Sequence, residues 1–345
     1  MRRLTRSGGN VIPASSNQVT ASTSVEAAPS HVRWLDSSVG SRIAKEVDQV
    51  DTGAGDRRIF RQVGYVVMRK RVAPPSSISP LRRLRHRVRT QIFEYPAIYM
   101  PFARYKYRGH SPEVISAETE LVIDGYFRSA NTFSVHAFQM SQERPVKLAH
   151  HLHAPAQLIT AARRGIPVLL LLRNPEGAIL SELLYDNVAL PDALDAYTRF
   201  HTCLLPDLDS FVVGEFEQVT HDFGSVIRQV NERFGTSFAE FKHTDETTRE
   251  CFELMNYRGT LSEIVYSFES GVIDQEELRR KLPDLARQPQ PEHFREAWIP
   301  SEDRARSKPA LRERWLDPSM SQRRERAESV YRQVLAASPV ASAAS

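Results

Sequence analysis

The sequence predicts an α/β fold: a central, mostly parallel sheet flanked by helices, with a helical C-terminal part. Three observations carry that expectation. Val168–Leu172 is wholly apolar and follows Gly165-Ile166-Pro167, the pattern of a short strand buried on both faces. Residues 211–214 form a second short, largely apolar stretch of the same kind. Residues 222–234 place Phe223, Val226, Ile227, Val230 and Phe234 at helical spacing, as an amphipathic helix does. Strands that alternate with helices in this way build parallel sheets.

The other elements follow in chain order. Residues 1–30 are rich in Ser, Thr, Asn, Ala and Gly, show no apolar period, and are expected to be disordered. Residues 31–117 form a basic N-terminal extension. Within it residues 59–68 could be one strand, Gly53-Ala54-Gly55 a loop, and Pro74-Pro75-Ser76-Ser77 a linker. Residues 81–89 are basic and amphipathic, and residues 92–107 mix cations with Phe and Tyr. Residues 118–336 carry the α/β pattern as one domain. It opens with a β-rich stretch over 120–126 and helical spacing over 133–140. A helix starting at Pro175 continues through 178–185, and the last third is charged and helical, most clearly over 323–335. Residues 337–345 look like a frayed tail.

With 345 residues, 41% of them hydrophobic, the chain can bury at least one large core. Its longest apolar run is five residues, whereas a membrane-spanning helix needs ~20. Arg2, Arg3 and Arg6 lack the apolar stretch that follows the basic end of a secretory signal. Cys203 and Cys251 show neither pairing nor metal-ligand spacing, as in a reducing compartment. The expected location is cytoplasmic. The net charge of +4 is unevenly spread: residues 57–108 hold fourteen Lys or Arg and one acid, Glu94. Such a block is either a solvated surface or a face for an anionic partner. Its aromatic content suits peripheral membrane contact through residues 57–108, and no nucleic-acid partner is expected.

Two strand-to-helix junctions carry chemistry. The first is Gly125-Tyr126-Phe127-Arg128-Ser129-Ala130-Asn131-Thr132-Phe133. Small and hydroxyl residues there let backbone N–H groups and a helix N-terminus face an anion, with Arg128 adding a full charge. A capping turn explains the same residues more simply. The string G-x-x-x-x-G-K-[ST] occurs nowhere, which speaks against an ordinary ATP or GTP site. The second junction runs over residues 172–181. Arg173 leaves the carboxyl end of a buried strand, where open α/β sheets place ligands, and Ser181 lies eight residues further on, a little over two helical turns. Alone, these are equally a strand-end arginine and a surface serine.

Together the junctions resemble the two donor-binding signatures of the PAPS-dependent sulfotransferases, where PAPS is 3′-phosphoadenosine 5′-phosphosulfate. The first signature, roughly Tyr-Pro-Lys/Arg-Ser-Gly-Thr/Asn-Thr, falls on Tyr126, Arg128, Ser129, Ala130, Asn131 and Thr132. The second, roughly Arg-Asp/Asn-Pro-x-Asp-x-x-x-Ser, falls on Arg173, Asn174, Pro175 and Ser181. Phe216-Glu217 matches an aromatic-acidic pair that the family often has. Phe127 stands where the family has Pro, Ala130 where it has Gly, and Glu176-Gly177 replaces the x-Asp. Ala130 fits only at negative φ or with modest strain. The resemblance covers roughly residues 118–240. It implies a P-loop-NTPase-like sulfotransferase fold, PAPS as donor and no metal, with Arg128 to Thr132 holding phosphosulfate and Arg173 with Ser181 holding the 3′-phosphate.

The family's base is a histidine between the two signatures. Here that interval holds His150-His151-Leu152-His153. His151, which precedes Leu, is the first choice and His153 the second. A metal site is disfavoured by the crowding of His-His-x-His and the lack of a Cys or carboxylate cluster nearby. Near the C-terminus Arg304 and Lys308 could close over the donor's phosphates, as a basic segment does in many family members. The expected function is therefore sulfuryl transfer from PAPS to a hydroxyl or amine of a small-molecule, carbohydrate or lipid acceptor. The alternative is a degenerate member that binds nucleotide and docks membrane or nucleic acid through its basic arm. A kinase of unusual type is motivated by the anion loop alone.

Overall fold

Four short strands form one sheet in the computed structural model: β1 Leu121–Gly125, β2 Leu148–His150, β3 Val168–Leu172 and β4 Val212–Glu215. Their order is β2-β1-β3-β4 and every pairing is parallel. The structure describes residues 78–108, 112–186, 188–287 and 302–336. The expectations for residues 1–77 (the disordered start, the strand over 59–68, the linker) and for 337–345 lie outside the described residues.

Before the sheet come α1 Pro80–Ile92 and α2 Pro96–Lys106. The crossovers are α3 Asn131–Ser141, α4 Pro155–Arg163, α5 Pro175–Tyr185 and α6 Leu190–Thr202. Beyond β4 lie α7 Phe216–His221, α8 Phe223–Phe234, α9 Asp245–Tyr257, α10 Ser262–Glu269 and α11 Gln275–Ala286. The described residues end on α12 Glu302–Trp315 and α13 Ser321–Ala336. The helix expected at Pro175 starts there because Asn174 caps it, its Oδ1 accepting from the Gly177 N–H at 2.7 Å, with proline on the first turn. Asp222 caps α8 through Ser225 N–H.

Alternate strand residues face opposite layers, as the two-residue period of a strand requires. Val122, Leu170, Leu172 and Val213 join a core built with α2, α4, α5, α6, α12 and α13. Leu121, Ile123, Leu169, Leu171 and Val212 join another built with α3, α8 and α9. Both sheet faces are thus covered, which explains why β3 carries no polar residue. A fully buried Leu, Ile or Phe contributes roughly 1.5–3 kcal/mol. The N-terminal helices are packed into this body: Tyr99, Met100 and Ala103 of α2 are core residues.

The strand order positions the site. After β2 the chain returns to the far side of β1 to lay down β3, so the connections diverge between β1 and β3. In open parallel sheets a crevice forms at that switch point, outside the carboxyl ends of the strands. Gly125 and Leu171 are paired there, and a Cβ on Gly125 would meet the Leu171 carbonyl at 2.2 Å. Glycine is required for β1 and β3 to approach so closely.

Candidate active site

The two junctions come together at this crevice. Arg128 and Ala130 are left-handed, each with φ of 66°, and Ser129 between them is not. Backbone of alternating hand turns successive N–H groups toward one point and makes a nest for an anion. The first N–H groups of α3 follow at once, with no carbonyl four residues back inside the helix and no side chain capping them. Asn131 Nδ2 closes the turn onto the Tyr126 carbonyl at 3.1 Å. Ser129 Oγ and Asn131 Oδ1 are buried without a partner. Of the two ways Ala130 could fit, the structure takes the strained one, at about 1–2 kcal/mol relative to glycine.

Arg173 enters from the end of β3. Its Nη1 donates to the Arg128 carbonyl at 2.8 Å, its guanidinium lies 3.8 Å over the Phe216 ring, and Nε is sealed off without a partner. Burial pushes its pKa down to about 10, with Glu217 acting the other way. Gly177 leaves the space: a Cβ there would stand 2.9 Å from Arg173 Nε. The Tyr197 hydroxyl donates to the Arg173 carbonyl at 2.6 Å. Ser181 is contacted by Arg128, whose Nε donates to Ser181 Oγ at 3.4 Å, and the Arg128 guanidinium lies 4.8 Å from the Tyr185 ring. Glu217 falls in the first turn of α7.

Lys308 on α12 lies within electrostatic reach of Arg173. Its ammonium is held below its ordinary value, first by partial desolvation and then by the charge of Arg173. Arg312 ties that helix to α5 through Glu176 at 3.2 Å. Arg304 lies about one turn earlier on α12, and the expectation for its side chain falls outside the described residues.

The histidines follow β2. His151 Nε2 lies 3.0 Å from Thr132 Oγ1, and its Nδ1 lies 2.7 Å from His150 Nδ1. Burial, then the charge of Arg258, holds His151 well below the usual imidazole range. Burial pushes His150 down to about 4. His153 donates from Nδ1 to the Gly125 carbonyl at 2.9 Å, which leaves its Nε2 as the lone pair of the neutral ring. Its ring packs on Phe127 at 4.5 Å. Both His151 and His153 have positive φ. They are held there by Asp124, whose buried carboxylate accepts from the N–H groups of Leu152 and His153 and from Gln157 Nε2.

No family model matches the chain, and no curated protein matches it.

Among the described residues, His150, His151 and Glu269 could share a cation, their donor atoms lying within 4.8 Å of one another. Glu269 Oε1 already takes His136 Nε2 at 2.7 Å and Arg258 Nε at 2.6 Å. A guanidinium on the carboxylate opposes a further positive charge there.

Sequence spacing did not point to Asp124, Glu182, Arg258 or Glu269. A carboxylate inside an apolar strand was the available signal for Asp124. Glu182, next to Ser181, accepts the Tyr126 hydroxyl at 2.7 Å, and burial pushes its pKa up to about 7 from 4.5. The folded state therefore binds the proton more tightly than the unfolded state. That stability is fully present below pH ~4.5 and is lost as pH rises through ~7. Glu182→Gln is expected to stabilise the protein by about 1–3 kcal/mol at pH 8 and by nearly nothing at pH 5. A thermal-melt difference that does not change between those pH values would contradict this.

Proposed function

We propose that the chain is a sulfotransferase that moves a sulfuryl group from PAPS to a hydroxyl or amine acceptor. The observation that carries the reading is the turn at Arg128–Ala130 with its two left-handed residues, met across the β1/β3 switch point by Arg173, with Ser181 in contact with Arg128. A nest at a helix N-terminus suits a phosphosulfate; separate cations a few residues away suit a second phosphate on the same nucleotide. Ser129, Asn131 and Arg173 each keep a buried polar atom without a partner, which is uncommon in a packed core and more usual at a functional site. The resemblance of both loops to the PAPS-dependent sulfotransferases points the same way.

In this reading His151 takes the acceptor proton at Nε2. The acceptor oxygen or nitrogen attacks sulfur in line, the bond from sulfur to the 5′-phosphate oxygen breaks, and the negative charge left on that phosphate is met by the nest and Arg128. His151 is neutral when free, and a bound dianion beside it raises its basicity toward the working range.

The nucleotide test is direct. A 3′-phosphate met by charge-assisted hydrogen bonds is worth roughly 2–3 kcal/mol, so 3′-phosphoadenosine 5′-phosphate (PAP) is expected to bind ~30- to 150-fold more tightly than AMP by titration calorimetry. Equal affinities would remove the reading.

A further inference from the structure

The first two described helices present apolar residues to water, and the first of them is turned inside out. α1 exposes Leu81, Leu84, Val88 and Ile92, spaced along one face, with Leu81 76% exposed. The contact that α1 makes inward is ionic: Arg83 and Arg87 both grip the buried carboxylate of Asp192, each at 2.7 Å, and His86 is buried between them. α2 and the residue before it continue the outward apolar face, although the inward face of α2 is apolar as well. Tyr95, Ile98, Phe102 and Tyr105 point outward, while Tyr99, Met100 and Ala103 pack inward. A helix in water normally buries its leucines and exposes its arginines. Here an apolar stripe continues from one helix to the next on the outside, a feature that marks an interaction surface.

Charge selects the occupant. Arg82, Arg85 and Arg89 flank the stripe on α1, and Arg104 and Lys106 lie in the last turn of α2. Between residues 78 and 108 the single acid, Glu94, is paired with Arg199 at 2.6 Å. Residues 1–77 hold twelve Lys or Arg against six Asp or Glu, so that segment as a whole carries the wrong sign to cover the face, and its acidic part, residues 26–56, interleaves its six acids with Arg33, Arg42 and Lys45. A second copy would set arginines against arginines. Nucleic acid would satisfy the charge but offers no apolar phase for leucine, isoleucine and phenylalanine. An anionic bilayer supplies both, with headgroups for the arginines and an acyl boundary for the stripe.

We propose that α1 and α2 dock this protein in the plane of an anionic lipid surface. Thr90 and Phe93, at the end of α1, line a small pocket with Phe127 and His153. A docked bilayer therefore lies about one helix diameter, ~10 Å, from the candidate site.

Co-sedimentation of the full chain with vesicles tests this. Binding is expected to phosphatidylcholine vesicles carrying about one third phosphatidylglycerol, at least ~10-fold weaker to phosphatidylcholine alone, and weakened by salt. The double variant Leu84→Glu, Ile98→Glu is expected to lose at least ~10-fold in vesicle affinity with an unchanged thermal melt, because both side chains already face solvent. Val272→Glu, at an exposed apolar residue elsewhere, is expected to bind as the parent does. Three results would overturn the proposal: a parent protein that ignores anionic vesicles, a double variant that binds them fully, or a solution dimer that the double variant disperses. Equal binding to duplex oligonucleotide, retained by the double variant, would do the same.

Discussion

Arg173→Met is expected to leave the fold intact and bring PAP affinity down to that of AMP. The side chain stands in a desolvated place with its Nε unpartnered, and burial has already drawn its pKa down to about 10. Holding a charge there is a burden on the protein without ligand. Methionine has similar reach and no charge, so removing that burden offsets the lost bond to the Arg128 carbonyl, and stability is expected to change by no more than about 1 kcal/mol. Binding behaves differently, because a phosphate arriving against a buried guanidinium gains what the free protein lacks. A loss of ~100-fold for PAP, roughly 3 kcal/mol, is expected by calorimetry, with AMP nearly unaffected. Arg173→Lys is expected to recover only part, since an ammonium cannot present the planar fork. An equal loss for both nucleotides would put Arg173 on the 5′ side instead.

The reach of the sequence depended on how local each feature is. β3 was legible because five apolar residues between Pro167 and Arg173 admit few structures, and the helix at Pro175 because its cap and proline are contiguous. β2 was not: it is three residues long and ends on a histidine. The helices α4 and α6 went unassigned, their inward faces mixing alanine and polar residues (Ala156, Gln157 and Ala161; Asp192, Ala193 and His201) with the larger apolar ones. The proposed donor grip lies in two short strings that stand out in the sequence. What supports it does not. Tyr126 meets Glu182 across 56 residues, and His136 meets Glu269 across 133. Such pairs are fixed by packing, and no spacing rule encodes them. The positive φ of His151 and His153 was equally hidden, since most residues favour the opposite sign, whereas at Ala130 the glycine expected from the resemblance had raised the question. The reading of residues 81–89 as an arm missed that arginine, rather than leucine, faces inward.

His151→Asn is expected to keep PAP binding and lower turnover by ~10²–10⁴-fold, the usual weight of a general base. Asparagine is chosen because it tolerates the left-handed backbone that His151 occupies. The base needs its lone pair at Nε2, beside Thr132. That puts the proton shared by the two facing Nδ1 atoms on His151 and leaves the buried, unpartnered Nε2 of His150 as an N–H. Because burial and Arg258 hold His151 well below 6.5 in the free protein, the acid limb of kcat/KM is expected below pH 6.5, with a plateau above it. His153 has a different part. Its Nδ1 is spent on the Gly125 carbonyl and its ring on Phe127, so His153→Ala is expected to cost less, ~10-fold or under, and to leave the acid limb where it was. Should His153→Ala cost more than His151→Asn, or move the limb, the base is His153, whose Nε2 lone pair is already fixed by that same bond to Gly125.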